Sequence, residues 1–272
     1  MEQNYDYKPN KKKGDLVIVS ASRRTDMPQW YAQDLIKQLN EKYPPEVVHS
    51  IVLWTKFPRS ILREPLKSVL SKYKQVFVNL TITGLGGSKI EKNVPKWEDS
   101  VEALPELIKF VGNPKRIRLR IDPISVLKDT EGKLITNSQT VKEIVTKCSE
   151  LGITEYVTSF LVPYGKVLQR LEANGLSAVK YSEEKKFEYF KKLKNFVNEH
   201  GGELYACSVP GLPRTACVDG NLLQKLHPDK APCSIYRPKT REDCNCSHSI
   251  DLGWYTNRCL SGCLYCYANT EV

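Results

Sequence analysis

The sequence contains no long apolar run and no segment that resembles a targeting signal. None of its apolar stretches approaches the roughly 18 residues that a membrane-spanning helix needs, so no membrane partner is expected. Residues 1–14 are polar and basic and lack the apolar part of a secretory signal, so we expect a flexible basic tail there and a cytoplasmic protein. Hydrophobic residues make up 40% of the chain, which excludes a mostly disordered protein. No Ser-His-Asp or Cys-His arrangement carries the loop signature of a hydrolase.

Cysteine is nearly absent from the first 206 residues and crowded after them. Cys148 is the only cysteine in that part, and its helical spacing from apolar neighbours indicates a buried side chain. The other eight of the nine cysteines fall between Cys207 and Cys266. The count is odd and a reducing compartment keeps thiols free, so disulfides do not explain them. Their crowding indicates metal or iron–sulfur binding.

The chain carries 41 Lys and Arg residues against 31 Asp and Glu residues, a formal net charge of +10. An excess of positive charge favours an anionic partner such as nucleic acid. Part of this excess lies in the tail at residues 11–13. Another part lies in a lysine-rich run at residues 185–194, which is typical of a solvated helix face.

Strand-like and helix-like segments alternate along the chain. Runs rich in Val, Ile and aromatic residues predict strands at 16–21, 47–55, 76–83, 116–124, 155–161, 203–209 and 250–255. Helical patterns lie between them at 26–39, 60–73, 96–111, 138–151, 167–174 and 183–199. Repeated β-then-α units predict an α/β fold with a parallel sheet. Six or seven units favour a parallel β/α barrel, complete or partial and TIM-like, with barrel units over 15–206 and a cysteine-rich, cluster-binding region over 207–272 that completes it.

Chemistry in such barrels lies in loops beyond the carboxyl ends of the strands, and these loops are polar here. The candidate residues are Arg23, Arg24, Asp26, Lys56, Arg120 and Asp122. Asp26 or Thr25 is also expected to cap the first helix.

Each candidate has two interpretations. Arg23 and Arg24 suit a carboxylate or an anionic substrate, or form surface salt bridges. Lys56 binds a carboxylate or phosphate, or is a lysine on the barrel rim. Arg120 and Asp122 are two residues apart and share a face of their strand. They either hold ribose hydroxyls or substrate, or form an internal ion pair.

The sharpest motif is the run of Cys259, Cys263 and Cys266, with the spacing C-x3-C-x2-C. Three thiolates at this spacing can wrap one [4Fe-4S] cluster and leave its fourth iron open to an exogenous ligand. A cluster that only transfers electrons normally has four cysteines, and a structural zinc site is closed by four ligands. The motif therefore predicts a reactive cluster.

This motif, with the strand and loop at residues 250–258 before it, resembles the first strand and cluster loop of the radical S-adenosylmethionine (SAM) superfamily. The resemblance implies that SAM binds the open iron and is cleaved to a 5′-deoxyadenosyl radical. It also implies an electron donor such as a flavodoxin or a ferredoxin. In that superfamily the motif lies near the start of the barrel, whereas here the barrel units precede it, so we infer a circular permutation. The first strand of this chain then takes the place of the usual second one. Asp26 is the candidate for the group that holds the SAM amino nitrogen, and Arg23 and Arg24 are candidates for its carboxylate.

Residues 15–270 also resemble a family known as domain of unknown function 1848. The resemblance is carried by the segments 20–26, 54–56, 120–124 and 263–268. It supports the interpretation of the cysteine motif and implies no particular substrate. The Arg-x-Asp-Pro segment at 120–123 is also similar to part of the spore photoproduct lyase branch of the radical enzymes.

Four further cysteines are predicted to bind a second, auxiliary metal centre. They are Cys207, Cys217, Cys244 and Cys246. Their thiols suit an auxiliary [4Fe-4S] cluster, and a tetrahedral zinc site is chemically feasible. Cys233 is a replacement for one of the four, and His248 is a fallback ligand.

Two functions therefore stay open at this stage. The first is a radical SAM enzyme of unknown substrate. The second is a zinc or iron–sulfur module that binds nucleic acid without SAM chemistry. It is favoured by the positive charge and by aromatic residues interleaved with the cysteines, which are Trp254, Tyr255, Tyr265 and Tyr267. A simple electron carrier is disfavoured because the cysteine triad leaves one iron open.

Overall fold

The computed structural model describes residues 16–238, 244–254 and 256–268, so the predicted basic tail lies outside the described residues. Its strands are β1 (Val17–Ala21), β2 (Val48–Thr55), β3 (Val76–Thr81), β4 (Ile117–Ile124), β5 (Val126–Asp129), β6 (Leu134–Thr136), β7 (Glu155–Phe160), β8 (Leu176–Ala178), β9 (Glu203–Ala206) and β10 (Ile250–Asp251). The main sheet has the order β10-β1-β2-β3-β4-β7-β9 and all of its pairs are parallel. Its seven strands lie within the seven predicted ones, which confirms the α/β prediction.

A second, antiparallel sheet has the order β6-β5-β8 and was not predicted. Its strands are three or four residues long and largely exposed at one end, so they carry no clear periodic pattern.

The main sheet is open, so of the two predicted alternatives, a complete or a partial barrel, the complete one is excluded. Within the described ranges, β9 and β10 are the two edges of the sheet and do not pair with each other. The outer edge of β9 is instead occupied by the chain that follows it. Ala206 N donates to Pro213 O at 2.7 Å, and Ala206 forms a parallel bridge with Arg214. These contacts use the backbone of Ala206, the last residue of β9, at the edge where a further strand would pair.

The last strand of the chain lies beside the first. Val19 pairs with Ile250 and Ser20 pairs with Asp251, and Leu252 N donates to Ser20 O at 2.8 Å. The carboxyl ends of β10 and β1 therefore lie side by side, and the segments that follow them leave from the same edge of the sheet.

The helices connect the strands as expected for parallel β/α units. They are α1 (Met27–Trp30), α2 (Ala32–Lys42), α3 (Pro58–Ile61), α4 (Leu66–Leu70), α5 (Trp97–Glu102), α6 (Leu104–Val111), α7 (Thr140–Glu150), α8 (Gly165–Ala173), α9 (Glu183–Glu199) and α10 (Gly220–Leu226). Three predicted helices are each divided in two. Pro65 separates α3 from α4, and Pro105 lies in the first turn of α6. No helix in the described part of the chain has both the length and the apolar character needed to cross a membrane.

The two faces of the main sheet have different coverings. One face packs against the helices around a core that includes Val19, Leu53 and Leu119. The opposite face, which we call the inner face, carries Ile18, Val52 and Phe77 and packs against Val218 and Leu223. The chain from about residue 216 to the end of α10 therefore covers the inner face.

Candidate metal centre

The segment that carries Cys259, Cys263 and Cys266 follows β10 at the carboxyl edge of the main sheet. At its start, Gly253 lies against the loop that follows β1. A Cβ atom on Gly253 would come within 2.0 Å of Ser22 Oγ, so only glycine allows this approach of the two loops. The cysteine loop thus lies next to the loop that carries the first candidate residues.

The three terminal thiols lie within one short turn of chain. Cys263 is buried, and Cys259 and Cys266 are half-buried. Cys266 N donates to Cys263 O at 3.1 Å, and Cys259 Sγ donates to Ser261 Oγ at 3.3 Å. Burial raises the pKa of both Cys263 and Cys266, and the neighbouring Cys259 raises each of these pKa values further. Thiolates are the ligands that iron–sulfur clusters use, so the donor set fits such a cluster.

The turn at residues 85–94, which follows β3, holds the cysteine loop in place. Leu264 N donates to Ile90 O at 3.0 Å. Asn93 Nδ2 donates to Leu260 O at 2.8 Å. The loop is therefore anchored through its backbone on both sides of Cys263.

Lys56 and Glu91 form an ion pair directly beside the cysteine loop. Lys56 Nζ donates to Glu91 Oε1 at 2.8 Å and to Tyr265 Oη at 2.9 Å. The Tyr265 hydroxyl also donates to Glu91 Oε1, and Thr83 Oγ1 donates to Glu91 Oε2 at 2.8 Å. Burial alone would lower the pKa of Lys56, but the charges of Glu91 and Cys263 outweigh it and raise that pKa. Lys56 therefore presents a fixed positive charge to the thiols.

Asp26 is buried and links the loop after β1 to the end of β2. Its Oδ1 accepts from Gln29 N at 3.3 Å, which confirms that Asp26 caps the first helix. Its Oδ2 accepts from Lys56 N at 2.7 Å and from Thr55 Oγ1 at 3.0 Å. Burial raises the pKa of Asp26 to about 6, and these hydrogen bonds oppose the rise. The Asp26 carboxylate therefore holds the loop after β1 against the end of β2. Its binding to the SAM amino group stays a prediction.

Arg23 and Arg24 connect the loop after β1 to β10. Arg24 Nη1 donates to Gly253 O at 2.7 Å and lies 3.7 Å from Asp251 Oδ2. Arg23 Nη1 lies 3.8 Å from the same carboxylate oxygen, and the Arg23 guanidinium lies 4.9 Å from the Trp54 ring centroid. Both guanidinium groups remain about one-third exposed at the carboxyl edge of the sheet, where an anionic group can reach them.

Arg120 and Asp122 form an ion pair on β4, which confirms that they share a face. Ser159 Oγ donates to Asp122 Oδ1. Arg120 Nη1 donates to Cys217 Sγ at 3.1 Å. This pair therefore lies among the thiols of the second predicted centre.

The second set of thiols comes together on the inner face. Cys207 Sγ and Cys217 Sγ are 4.0 Å apart. Cys246 is hydrogen-bonded to Cys217 and to Cys244. The four predicted ligands thus form a continuous row of sulfur atoms. Within residues 16–238, 244–254 and 256–268, no three His, Cys, Asp or Glu side chains surround one point at which a single metal ion would bind.

The structure also gives contacts for the predicted replacement ligand Cys233, the fallback ligand His248 and the remaining cysteine, Cys148. Cys233 packs with the inner-face core, and its Sγ donates to Gly220 O at 3.5 Å. His248 donates its backbone N–H to Tyr236 O at 2.7 Å. Cys148 is fully buried on α7, as its spacing predicts, and burial raises its pKa to about 12.

Sequence reasoning missed Glu91 and the hydroxyl of Tyr265. Glu91 lies in a glycine-rich turn, and nothing in its sequence context indicates a buried carboxylate. The available signal was Lys56 at a strand end, because a buried cation needs an anionic partner.

Comparison with known proteins gives one family. The family described as domain of unknown function (DUF1848) matches residues 18–268, which run from β1 through the terminal cysteine loop. No curated protein gives a significant match. Because the match includes both the sheet and the cysteine loop, the chain belongs to the family of domain of unknown function 1848.

Proposed function

We propose that this protein is an iron–sulfur enzyme that binds SAM at an open [4Fe-4S] cluster. Cys259, Cys263 and Cys266 are its ligands. The observation that carries the proposal is their position: three thiols in one loop, beyond β10, at the carboxyl edge of an open parallel sheet. Three ligands leave one iron for the amino and carboxylate groups of SAM.

The strand order supports the superfamily interpretation. We interpret the open sheet as a partial TIM-like barrel in which the first strand of the usual order is supplied by β10. β10 lies beside β1 at one edge of the sheet, and β1 is followed by β2, β3, β4 and β7. This is the arrangement that a circular permutation produces, with the cysteine loop after the first strand in space although it comes late in the chain.

Four residues of the chain are the proposed contacts of the cluster and of SAM. Lys56 places its ammonium beside the sulfur atoms, where it offsets the negative charge of thiolates. Arg23 and Arg24 are partly exposed next to the cysteine loop and are the proposed partners of the SAM carboxylate. Asp26 is the proposed acceptor for the SAM amino group. When bound, the cluster and SAM supply a 5′-deoxyadenosyl radical after one-electron reduction, with a small flavodoxin or ferredoxin as the proposed donor.

The test uses full-length protein purified and reconstituted without oxygen. Iron and sulfide are counted, the EPR spectrum of the reduced protein is recorded with and without SAM, and 5′-deoxyadenosine is assayed in the same sample. We expect a SAM-dependent spectral change together with 5′-deoxyadenosine. Cys263→Ala should abolish both, whereas Cys148→Ala, a buried cysteine on α7, should preserve them. Full SAM cleavage by the Cys263→Ala protein contradicts the proposal.

A nucleic-acid-binding module is the second candidate. Trp254 and Tyr267 flank the cysteine loop and are 63% and 53% exposed, so each presents aromatic surface to solvent, on which a base could stack. Tyr255 lies outside the described residues. This function predicts salt-sensitive binding of single-stranded DNA or RNA that Trp254→Ala weakens, with no effect of SAM. Unchanged binding by that variant, or no binding at low salt, excludes it.

A further inference from the structure

A cavity lies at the carboxyl edge of the main sheet, beside the small antiparallel sheet. Its volume is about 180 Å³, and it is partly open to solvent. The main sheet contributes Ile124 and Phe160, the last residues of β4 and β7, to its lining. The small sheet contributes Val126 of β5 and Ala178 of β8. The small sheet therefore turns the ends of two central strands into a pocket.

The cavity and the terminal cysteine loop share one apolar cluster. Leu161 and Ala178 line the cavity, and both pack against the cluster that contains Cys263. Cys266 packs against the same cluster. Ligands of parallel β/α folds bind beyond the carboxyl ends of the strands, which is where this cavity opens. Its position beside the cysteine loop is therefore that of a substrate pocket.

The size and the lining of the cavity indicate a ligand with one ring. A cavity of about 150 Å³ lined by apolar side chains holds one benzene molecule. Most of the side chains that line this cavity are apolar, and the rings of Phe160 and Tyr181 are among them. Aromatic side chains pack well against another planar ring. The buried part of the ligand is therefore a six-membered ring with a short substituent.

The charged side chains that line the cavity are both cationic. They are Lys180 and Lys186. Lys186 Nζ donates to Glu183 Oε1 at 2.6 Å, whereas Lys180 has no ion-pair partner within the described parts of the chain. No Asp or Glu of the described residues lines the cavity. Two ammonium groups against one carboxylate outside the lining leave a net positive charge, which attracts an anion.

We propose that this cavity binds a small molecule with one aromatic ring and one anionic group, a carboxylate or a phosphate ester, which Lys180 and Lys186 hold. That this molecule is the substrate rests on the proposed function of the cysteine loop. That the cavity binds it does not.

The first test measures binding to the full-length, reconstituted protein by fluorine NMR. The probe is para-fluorophenylacetate, and para-fluorophenylacetamide is its uncharged counterpart of nearly the same shape. We expect the amide to bind about tenfold more weakly or less, because it lacks the charge that the lysines attract. A parallel titration with para-fluorophenyl phosphate shows which anionic group the lysines prefer. No binding of either anion up to about 10 mM overturns the proposal.

The lysines are tested by a double variant. Lys180→Gln and Lys186→Gln together should weaken binding of para-fluorophenylacetate about tenfold or more and leave the amide unaffected. Lys191→Gln and Lys192→Gln together make the same change of charge on the exposed side of α9, outside the lining, and should bind as the wild type does. Equal affinity of the wild type and the Lys180 and Lys186 variant for the anion contradicts the assigned role of these lysines.

The location is tested by filling the cavity. Ala178→Leu should prevent binding of all three probes. Ser177→Leu, at the neighbouring exposed position of β8, adds a side chain of the same size and should bind as the wild type does. Circular dichroism checks the fold of each variant, and if Ala178→Leu fails to fold, the lysine variants decide. Full binding by folded Ala178→Leu protein overturns the location.

Reduction of the protein separates this inference from the proposed function. A reduced [4Fe-4S] cluster is paramagnetic, so it should broaden the fluorine signal of a probe bound nearby, and Cys263→Ala should remove that broadening. Binding without broadening in protein that cleaves SAM supports the binding site and overturns its role as the substrate pocket. Binding by protein that takes up no iron and cleaves no SAM supports the binding site and overturns the proposed function, and the substrate role with it.

Discussion

Lys56 and Glu91 form a 2.8 Å ion pair in which the Glu91 side chain is 1% exposed and the Lys56 side chain 16% exposed. Glu91 has Lys89 and Lys92 beside it in the sequence, yet its partner is Lys56, which lies 35 positions away. The pair joins the end of β2 to the turn at residues 85–94, and through Tyr265 it reaches the cysteine loop. One carboxylate therefore connects three separate segments around the thiols.

Removing the Glu91 carboxylate should destabilise the fold. Glu91→Gln leaves Lys56 without a charged partner, so we expect a loss of about 3 kcal/mol in the free energy of unfolding. The measurement is urea denaturation under anaerobic, reducing conditions. Glu102→Gln is the matched control, because its ion pair with Arg59 is exposed and should contribute less than about 1 kcal/mol. Equal losses in the two variants contradict the structural role of Glu91.

The approach of the loops after β1 and β10 can be tested at Gly253. Gly253→Ala would place a Cβ atom 2.0 Å from Ser22 Oγ and 2.3 Å from Ser22 Cβ, so the cysteine loop must shift. We expect this variant to retain less iron than the wild type. Ser22→Gly in the same chain removes both clashing atoms and should restore iron retention.

The control for this substitution is Gly165→Ala at the start of α8, where a Cβ atom meets nothing within 4 Å. It should bind iron as the wild type does. If Gly253→Ala also retains full iron, the two loops are not held together as described.

The stacked pair of His49 and His227 predicts sensitivity to acid. Their ring centroids are 4.4 Å apart, and burial lowers the pKa of each below the usual 6.5. A lowered histidine pKa means that the folded state favours the neutral ring. This contribution to stability is complete above pH 6.5 and is lost as the pH falls below it.

We therefore expect the free energy of unfolding to fall between pH 7 and pH 5, with a smaller slope in His227→Phe. The phenylalanine ring preserves the stacking and cannot take up a proton. Identical slopes for the wild type and His227→Phe would show that the pair does not titrate on unfolding.

The periodic parts of the fold could be predicted from the sequence. The strands of the main sheet are largely buried, and β2 (Val48–Thr55) contains a continuous apolar run at residues 51–54. Asp26 was identifiable as a cap because Pro28 follows it in the first turn. The two cysteine groups were recognisable in the sequence because thiols crowded in one region indicate that they bind a common metal ion or cluster.

Closure of the sheet could not be predicted, because it depends on which segment covers the edge of β9. Pro213 and Arg214 occupy that edge through backbone contacts, which have no side-chain pattern. The link between Arg120 and Cys217 was hidden for a similar reason. The two residues are 97 positions apart, and only packing on the inner face brings them together.

The position of β10 beside β1 also affects how the protein is made. Synthesis proceeds from the amino terminus, so β1 through β9 leave the ribosome before β10 and the loop that carries Cys259. Until then, β1 presents the unpaired edge that Ile250 and Asp251 later cover. A chain interrupted before that point carries the sheet without the terminal thiols. The proposed cluster at Cys259, Cys263 and Cys266 could therefore be loaded only after translation has passed the last strand.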